Sequence, residues 1–262
     1  MTDANQMFTD GKAYERMMGR WSRRVGDIFL DWLKIPDNLR WLDVGCGNGA
    51  FTEEIIARCH PTAVEAVDPS PEQLSYARDR AGTRMAVYHE ADAQVLPFDA
   101  NGFDVAVMAL VIAFVPDAAK AVAEMARVVR PGGWVAAYMW DMPEGAPLRP
   151  LQRAVKSLGL EPALPPNPTA SKLEALQEFW GAAGLVSVET RVISIPVVYA
   201  DFEDFWTSNI VPIGPLGKLL ADMSPDMKAR LRQALQEQLP IGADGSIAYE
   251  AFANAVMGRM PA

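Results

Sequence analysis

The densest run of potential chemistry in this chain is Leu42-Asp43-Val44-Gly45-Cys46-Gly47-Asn48-Gly49. Three glycines in five residues let a backbone turn sharply, admit a ligand where a Cβ would stand, and aim the N–H groups of a following helix at it. Such a bend suits a small anionic or nucleoside ligand. Dinucleotide sites favour G-x-G-x-x-G, whereas this chain reads G-x-G-x-G preceded by an acid, which tilts against a nicotinamide-dependent oxidoreductase. Asp68 lies 23 residues beyond Gly45, at the end of the next strand-like run. A carboxylate there can accept hydrogen bonds from both hydroxyls of a ribose. Cys46 and Cys59 are the only cysteines and His60 and His89 the only histidines. Their spacing builds neither a disulfide framework nor a zinc site, so no metal is expected.

The elements that must position these groups follow from hydrophobic spacing. Trp21, Val25, Ile28, Phe29, Trp32 and Leu33 trace a helical stripe that Pro36 ends. Leu39 to Val44 is a short apolar run. Ala50 to Cys59 carries Phe51, Ile55 and Cys59 on one helical face, and Ala63 to Val67 is β-like. Ser70-Pro71 reads as a cap and first-turn proline. Arg84 to His89 and the apolar run Phe103 to Leu110 continue the alternation, the latter suiting a strand buried on both faces. Asp117 caps a helix carrying Val122, Met125, Ala126 and Val129, which Pro131-Gly132-Gly133 stops before a strand from Trp134 to Trp140. Four or five β-α units in series predict a parallel sheet with helices on both sides.

Beyond that core the pattern loosens. Seven of the twenty prolines fall between Pro143 and Pro168, which argues for an irregular connection. Ser171 and Glu174 have capping-box spacing for a helix with Leu173, Leu176 and Trp180. Ser187 to Val198 alternates like a strand, Asp201 to Leu239 is helical, and Ser246 to Met257 fits a strand or a helix.

The 262 residues suit one large α/β domain or two small ones, since domains usually run about 100 to 200 residues. Half the residues are apolar and 22% charged, enough for a core. The net charge of −9 argues against DNA or RNA as partner. Arg16, Arg20, Arg23 and Arg24 form the one basic cluster, read as a solvated helix face with ligand contact as the alternative. Met1 to Arg20 carries Asp3, Asp10 and Glu15 without an apolar core, and no later window reaches the roughly 18 to 20 apolar residues of a membrane span. The expectation is a cytoplasmic chain with no membrane span, acting on a small molecule, with a homodimer possible.

Five ordered pieces carry a family resemblance: LDVGCGNG from Leu42, AVDPS from Ala66, EADAQVLPF from Glu90, FDVAVMALVIAFVPD from Phe103, and RVVRPGGWV from Arg127. In this order they resemble the class I S-adenosylmethionine-dependent methyltransferases, particularly small-molecule enzymes similar to the ubiquinone/menaquinone biosynthesis group. The resemblance implies an α/β, Rossmann-like, mostly parallel seven-stranded sheet with helices on both faces and a helical lid insertion. It implies one methyltransferase domain over 1–262, with N-terminal cap helices in 1–36, a cofactor-binding core in 37–142 and a lid in 196–245.

The cofactor implied is S-adenosyl-L-methionine, with S-adenosyl-L-homocysteine as product. Gly45, Gly47 and Gly49 would line its methionine and ribose, and Asp43 would hold its amino group directly or through water. Asp68 would take the ribose hydroxyls, Asp92 and the Ala93 N–H the adenine, and Met108 and Ala109 would surround the sulfonium. Cys46 and Pro69 belong to the same two motifs and are placed with the cofactor. Tyr14 would bind the cofactor carboxylate, with Arg20 assisting or merely capping. Many relatives carry a histidine where this chain reads Ile112-Ala113-Phe114, so no catalytic residue is assigned. Phe114, Trp140, Phe205 and Trp206 are the candidate acceptor pocket, suggesting an apolar or aromatic metabolite methylated at O, N or C. A catalytically silent S-adenosylmethionine-binding module and, more remotely, an NAD(P)-dependent oxidoreductase are the alternatives.

Overall fold

The computed structural model of the chain describes residues 15–162, 164–211 and 214–262. A five-residue π-helical turn, Glu15–Gly19, leads into α1, Arg20–Leu33, whose apolar stripe buries Trp21, Val25, Phe29, Leu30 and Leu33. Then β1 (Arg40–Val44), α2 (Ala50–Cys59), β2 (Ala63–Asp68), α3 (Pro71–Asp79) and β3 (Ala86–Glu90) alternate as their spacing predicts. Ser70 caps α3, its hydroxyl accepting from the Gln73 N–H at 3.3 Å. The chain continues through β4 (Phe103–Ala109) and α4 (Ala118–Val128), where Asp117 accepts from the Lys120 N–H at 3.0 Å.

The seven strands are ordered β3-β2-β1-β4-β5-β7-β6, with β5 at Val129–Trp140, β6 at Val186–Tyr199 and β7 at Ile247–Arg259. The sheet is mixed, not parallel throughout: β7 runs antiparallel to both neighbours. That settles Ser246 to Met257 as strand. Alternate side chains feed two cores. Trp41, Val107, Tyr138 and Trp140 face α1, α2 and the helices beyond β6, whereas Leu42, Val44, Met108 and Ala137 face α4 and α6, Leu173–Ala182. Order reverses between β1 and β4, which opens a crevice at their carboxyl ends.

Three local expectations are corrected. Pro131-Gly132-Gly133 does not separate α4 from β5: the strand already begins at Val129, and the register slips between Phe103 and Val105 to absorb the extra residues. Gly132 and Gly133 are held by β7's end, through Gly132 N–H to Met260 O and Met260 N–H to Gly133 O. The proline-rich stretch contains α5, Arg149–Ser157, with Pro150 in its first turn, where the missing N–H costs nothing. Its buried stripe is Leu151, Ala154 and Val155. Ser171 makes no capping box, because its hydroxyl donates to Pro168 O at 2.6 Å and accepts from Met142 N–H at 3.0 Å.

Between β6 and β7 stand α7 (Phe202–Asn209), α8 (Gly214–Ala221) and α9 (Pro225–Gln238). Among the described residues no helix is long and apolar enough to cross a membrane.

Asn254 on β7 is 2% exposed, and its amide donates to Asp141 Oδ2 and to Ser171 O, both at 2.9 Å, joining β7 to the end of β5 and the entry to α6. Asn254→Ala should lower the free energy of unfolding by about 1–3 kcal/mol in urea titrations, because it strands a carboxylate and a carbonyl.

Candidate functional site

The chain leaves β1 through a bend fixed by backbone hydrogen bonds: Gly45 and Cys46 N–H donate to Val67 O at 2.8 and 2.9 Å, and Gly49 N–H donates to Cys46 O at 2.9 Å. Gly45 has φ +79°, and a Cβ there would meet Val111 Cγ2 at 2.5 Å. Gly47 has φ +51°, yet a Cβ there would find nothing within 4 Å. The first glycine is thus required by packing. The second faces open space, which leaves its backbone approachable by a ligand.

Asp68 ties this bend to the second strand. Its Oδ2 accepts from Gly47 N–H and its Oδ1 from Ser70 N–H, both at 2.9 Å. Its own carbonyl accepts from Ala91 N–H at 3.2 Å, so the end of β3 joins the same corner. Asp92 follows there, exposed, accepting from the Gln94 N–H at 2.8 Å, and Ala93 is buried beside it. On the other side Met108 is buried at the end of β4, and Leu110 turns the chain with φ +61° while its N–H donates to Tyr138 O at 2.8 Å. Leucine rarely adopts that conformation, and strain of this kind collects at sites.

Asp43 is fully buried beneath the bend. Its Oδ2 accepts from the Thr52 hydroxyl at 2.7 Å, whereas Oδ1 has no hydrogen-bond partner. Burial pushes this carboxyl up to about 7; the Thr52 hydrogen bond opposes the shift and the charge of Asp68 adds to it. Burial also raises Asp68, against the pull of the Ser70 and Gly47 N–H groups. Cys46 is held well above the usual thiol range by burial and by both acids, so its sulfur stays protonated and is a poor nucleophile.

The structure therefore brings Asp43, Gly45, Cys46, Gly47, Gly49, Asp68, Pro69, Asp92, Ala93, Met108 and Ala109 to the carboxyl ends of β1 to β4. Tyr14 lies outside the described residues. Arg20 stands elsewhere, stacked on Trp21 and Tyr199. The four acceptor-pocket candidates do not form one wall: Phe114, in the Ile112–Phe114 turn, packs on the α4–α6 core, whereas Trp140 (3% exposed) and Phe205 (1%) belong to the opposite core. Trp206 is half-buried and stacked on Phe202. Thr52 and Val111 escaped sequence reasoning, because only the folded chain shows one beneath Asp43 and the other against Gly45. His89 Nε2 pairs with Glu65 at 2.6 Å, and His60 lies 3.5 Å from Asp37. No group of three metal-ligating side chains occurs among the described residues.

Comparison with known proteins bears on the family and the fold. Residues 42–137 match the family described as a methyltransferase domain, which bears out the resemblance to class I S-adenosylmethionine-dependent methyltransferases. Over 116 residues the chain is 36% identical to 2-methyl-6-phytyl-1,4-hydroquinone methyltransferase 2, chloroplastic, of Oryza sativa subsp. japonica, covering 44% of this chain and 33% of that protein. The chain thus spans about a third of that relative's length. Among solved structures, phosphoethanolamine N-methyltransferase 2 of Haemonchus contortus, in complex with phosphomonomethylethanolamine and S-adenosylhomocysteine, matches with a TM-score of 0.62 at 20% identity, over 99% of this chain and 59% of that one. The YcgJ protein of Bacillus subtilis matches at 0.60 and 17% identity, over 92% and 99%. Both are likenesses of fold. The cofactor implied by the motifs, S-adenosyl-L-methionine, accords with these matches, the nematode enzyme holding its demethylated form.

The raised Asp43 carboxyl has a stability signature. The folded chain keeps this proton up to about pH 7, whereas the unfolded chain releases it near 3.8, so the contribution is complete below the lower value and is lost as pH rises through the upper one. Relative to wild type, Asp43→Asn should gain on the order of 4 kcal/mol between pH 4 and pH 8 in urea unfolding. A difference independent of pH would mean that the carboxylate is ionised throughout.

Proposed function

We propose that this chain transfers a methyl group from S-adenosyl-L-methionine to a small, apolar or aromatic metabolite. The observation that carries the reading is the hydrogen bond between the Asp68 carboxylate and the Gly47 N–H. It makes the glycine bend and the acid ending the second strand one corner, and a nucleoside with a polar tail needs both at once. Three further features fit that molecule. The space over Gly47 is open to it, Asp43 Oδ1 is an orphaned acceptor suited to an ammonium group, and Asp68 retains lone pairs for ribose hydroxyls.

In this reading Asp92 and the Ala93 N–H meet the adenine, while Met108 and Ala109 stand beside the reacting centre. Bound S-adenosylmethionine supplies a sulfonium methyl, whose departure needs no acid. The chain's own work is therefore alignment and the exclusion of water, and orientation alone can contribute on the order of 7–11 kcal/mol. Residues 1–36 serve as a cap, 37–142 as the cofactor-binding core and 196–245 as a helical lid, all within one domain. The half-buried Phe202 and Trp206 of α7 favour an apolar acceptor, and the rice relative's name likewise gives its acceptor as a phytyl hydroquinone.

Calorimetric titration with S-adenosylhomocysteine tests the reading. Wild type should bind, and Asp68→Ala should weaken binding by about 1.5–3 kcal/mol through the loss of charge-assisted hydrogen bonds. Gly47→Ala should stay folded, at a cost of about 1–2 kcal/mol for its left-handed backbone, yet lose affinity because its methyl fills the space over the bend. A folded wild type that gives no heat overturns the proposal, and Gly47→Ala binding as wild type does would move the nucleoside elsewhere.

A further inference from the structure

Arg20 opens α1 as an exposed cation, its guanidinium carbon 4.3 Å from the Trp21 ring centroid and 4.7 Å from that of Tyr199. The two rings stand edge to face, 5.9 Å apart. A guanidinium clamped on aromatic faces keeps its N–H donors around its rim, where their fork matches a carboxylate or a phosphate. No carboxylate among the described residues occupies that rim. Three arginines nearby are paired, Arg23 with Glu54, Arg58 with Asp27 and Asp31, and Arg232 with Glu203.

The aromatic platform around Arg20 is also committed internally. The Tyr199 hydroxyl accepts from the Asn209 amide at 3.0 Å, and the Tyr249 hydroxyl donates to Pro147 O at 2.7 Å. Phe205 packs edge-on to Tyr199 at 5.0 Å. The Trp21 indole N–H is buried without a hydrogen-bond partner, so the exposed guanidinium is the polar group of this platform that a ligand can reach.

Its place in the fold decides which ligand. Tyr199 is the last residue of β6, and β6 is separated from β1 by β4, β5 and β7, about 19 Å across the sheet. Side chains stand roughly perpendicular to a sheet, so stacking on Tyr199 does not shorten that gap. Directly after Tyr199 comes α7, the first helix of the proposed lid. Arg20 therefore faces the acceptor's side of the site, in contrast to the cofactor role that the family resemblance implies for it.

We propose that Arg20 receives an anionic group of the methyl acceptor, so that the substrate is an apolar or aromatic body bearing a carboxylate or phosphate. This rests on the methyltransferase reading. The test uses the full chain saturated with S-adenosylhomocysteine and titrates matched pairs that differ only in charge: 4-hydroxybenzoate against 4-hydroxybenzyl alcohol, octanoate against octanol, and phenyl phosphate against phenol.

At least one anion should bind wild type about tenfold or more tightly than its neutral twin, and the pair that shows it tells carboxylate from phosphate. Arg20→Gln should erase that preference, Arg20→Lys should keep part of it, and neither should change the affinity for S-adenosylhomocysteine. Absence of an anion preference in every pair overturns the proposal, as does a preference that survives Arg20→Gln. Weakened S-adenosylhomocysteine binding in Arg20→Gln would return the residue to the cofactor. Failure of wild type to bind S-adenosylhomocysteine is a separate result, sinking the methyltransferase reading itself.

Discussion

One residue, Asp68, ties three strand ends together. Asp68 grips the Gly47 N–H with one oxygen and the Ser70 N–H with the other, while its carbonyl receives the Ala91 N–H. A bend rich in glycine has many accessible conformations, and each residue fixed costs about 1–2 kcal/mol of backbone entropy. Anchoring Gly47 to a partly buried acid selects one of them before any ligand arrives. The same acid stabilises the start of α3, because its bond to Ser70 sets the residue whose hydroxyl caps that helix. Preorganisation of this kind lets weak contacts bind a flexible molecule well.

Around that corner the two cores have different characters. The α4–α6 side is built mainly of small and aliphatic residues, with the Trp180 indole N–H satisfied by Val135 O at 2.9 Å. The other side gathers Phe29, Phe51 and Tyr138 in mutual ring contact, then Trp21, Tyr199 and Phe205 further along. α1 lies across this second side, meeting Tyr138 through Phe29 and Tyr199 through Trp21. A single helix thereby links the neighbourhood of the glycine bend to the helices between β6 and β7.

The corner formed by the glycine bend and the acids that end β2 and follow β3 was readable in the sequence because backbone builds it. Glycines at 45, 47 and 49, an acid at 68 and an acid at 92 mark where a chain must bend or end, and such marks survive as spacing. The alternation through β4 was equally plain, since strands buried on both faces need unbroken apolar runs. What escaped depends on partners remote in sequence. Pro131 to Gly133 resemble a helix stop until β7 is there to hold them, and Ser171 resembles a cap until Pro168 and Met142 claim its hydroxyl. Pro150 reads as part of an irregular connection when counted with its neighbours, although its position suits a first helical turn. Neither Thr52 nor Val111 carries any local sign of its partner. The aromatic residues named for an acceptor pocket were the least legible, since residues chosen by type belong to two separate cores.

The insertion of β7 between β5 and β6 sets an order of events during synthesis. β6 is made before β7 but can join the sheet only through it. While a ribosome is still extending the chain, the first five strands can already be zipped together, and the fourteen-residue ribbon of β6 must wait beyond an open edge. Such an edge is adhesive until its gap is filled. The step that shields it also brings α7, α8 and α9 onto the sheet, so completion of the sheet and placement of those helices coincide.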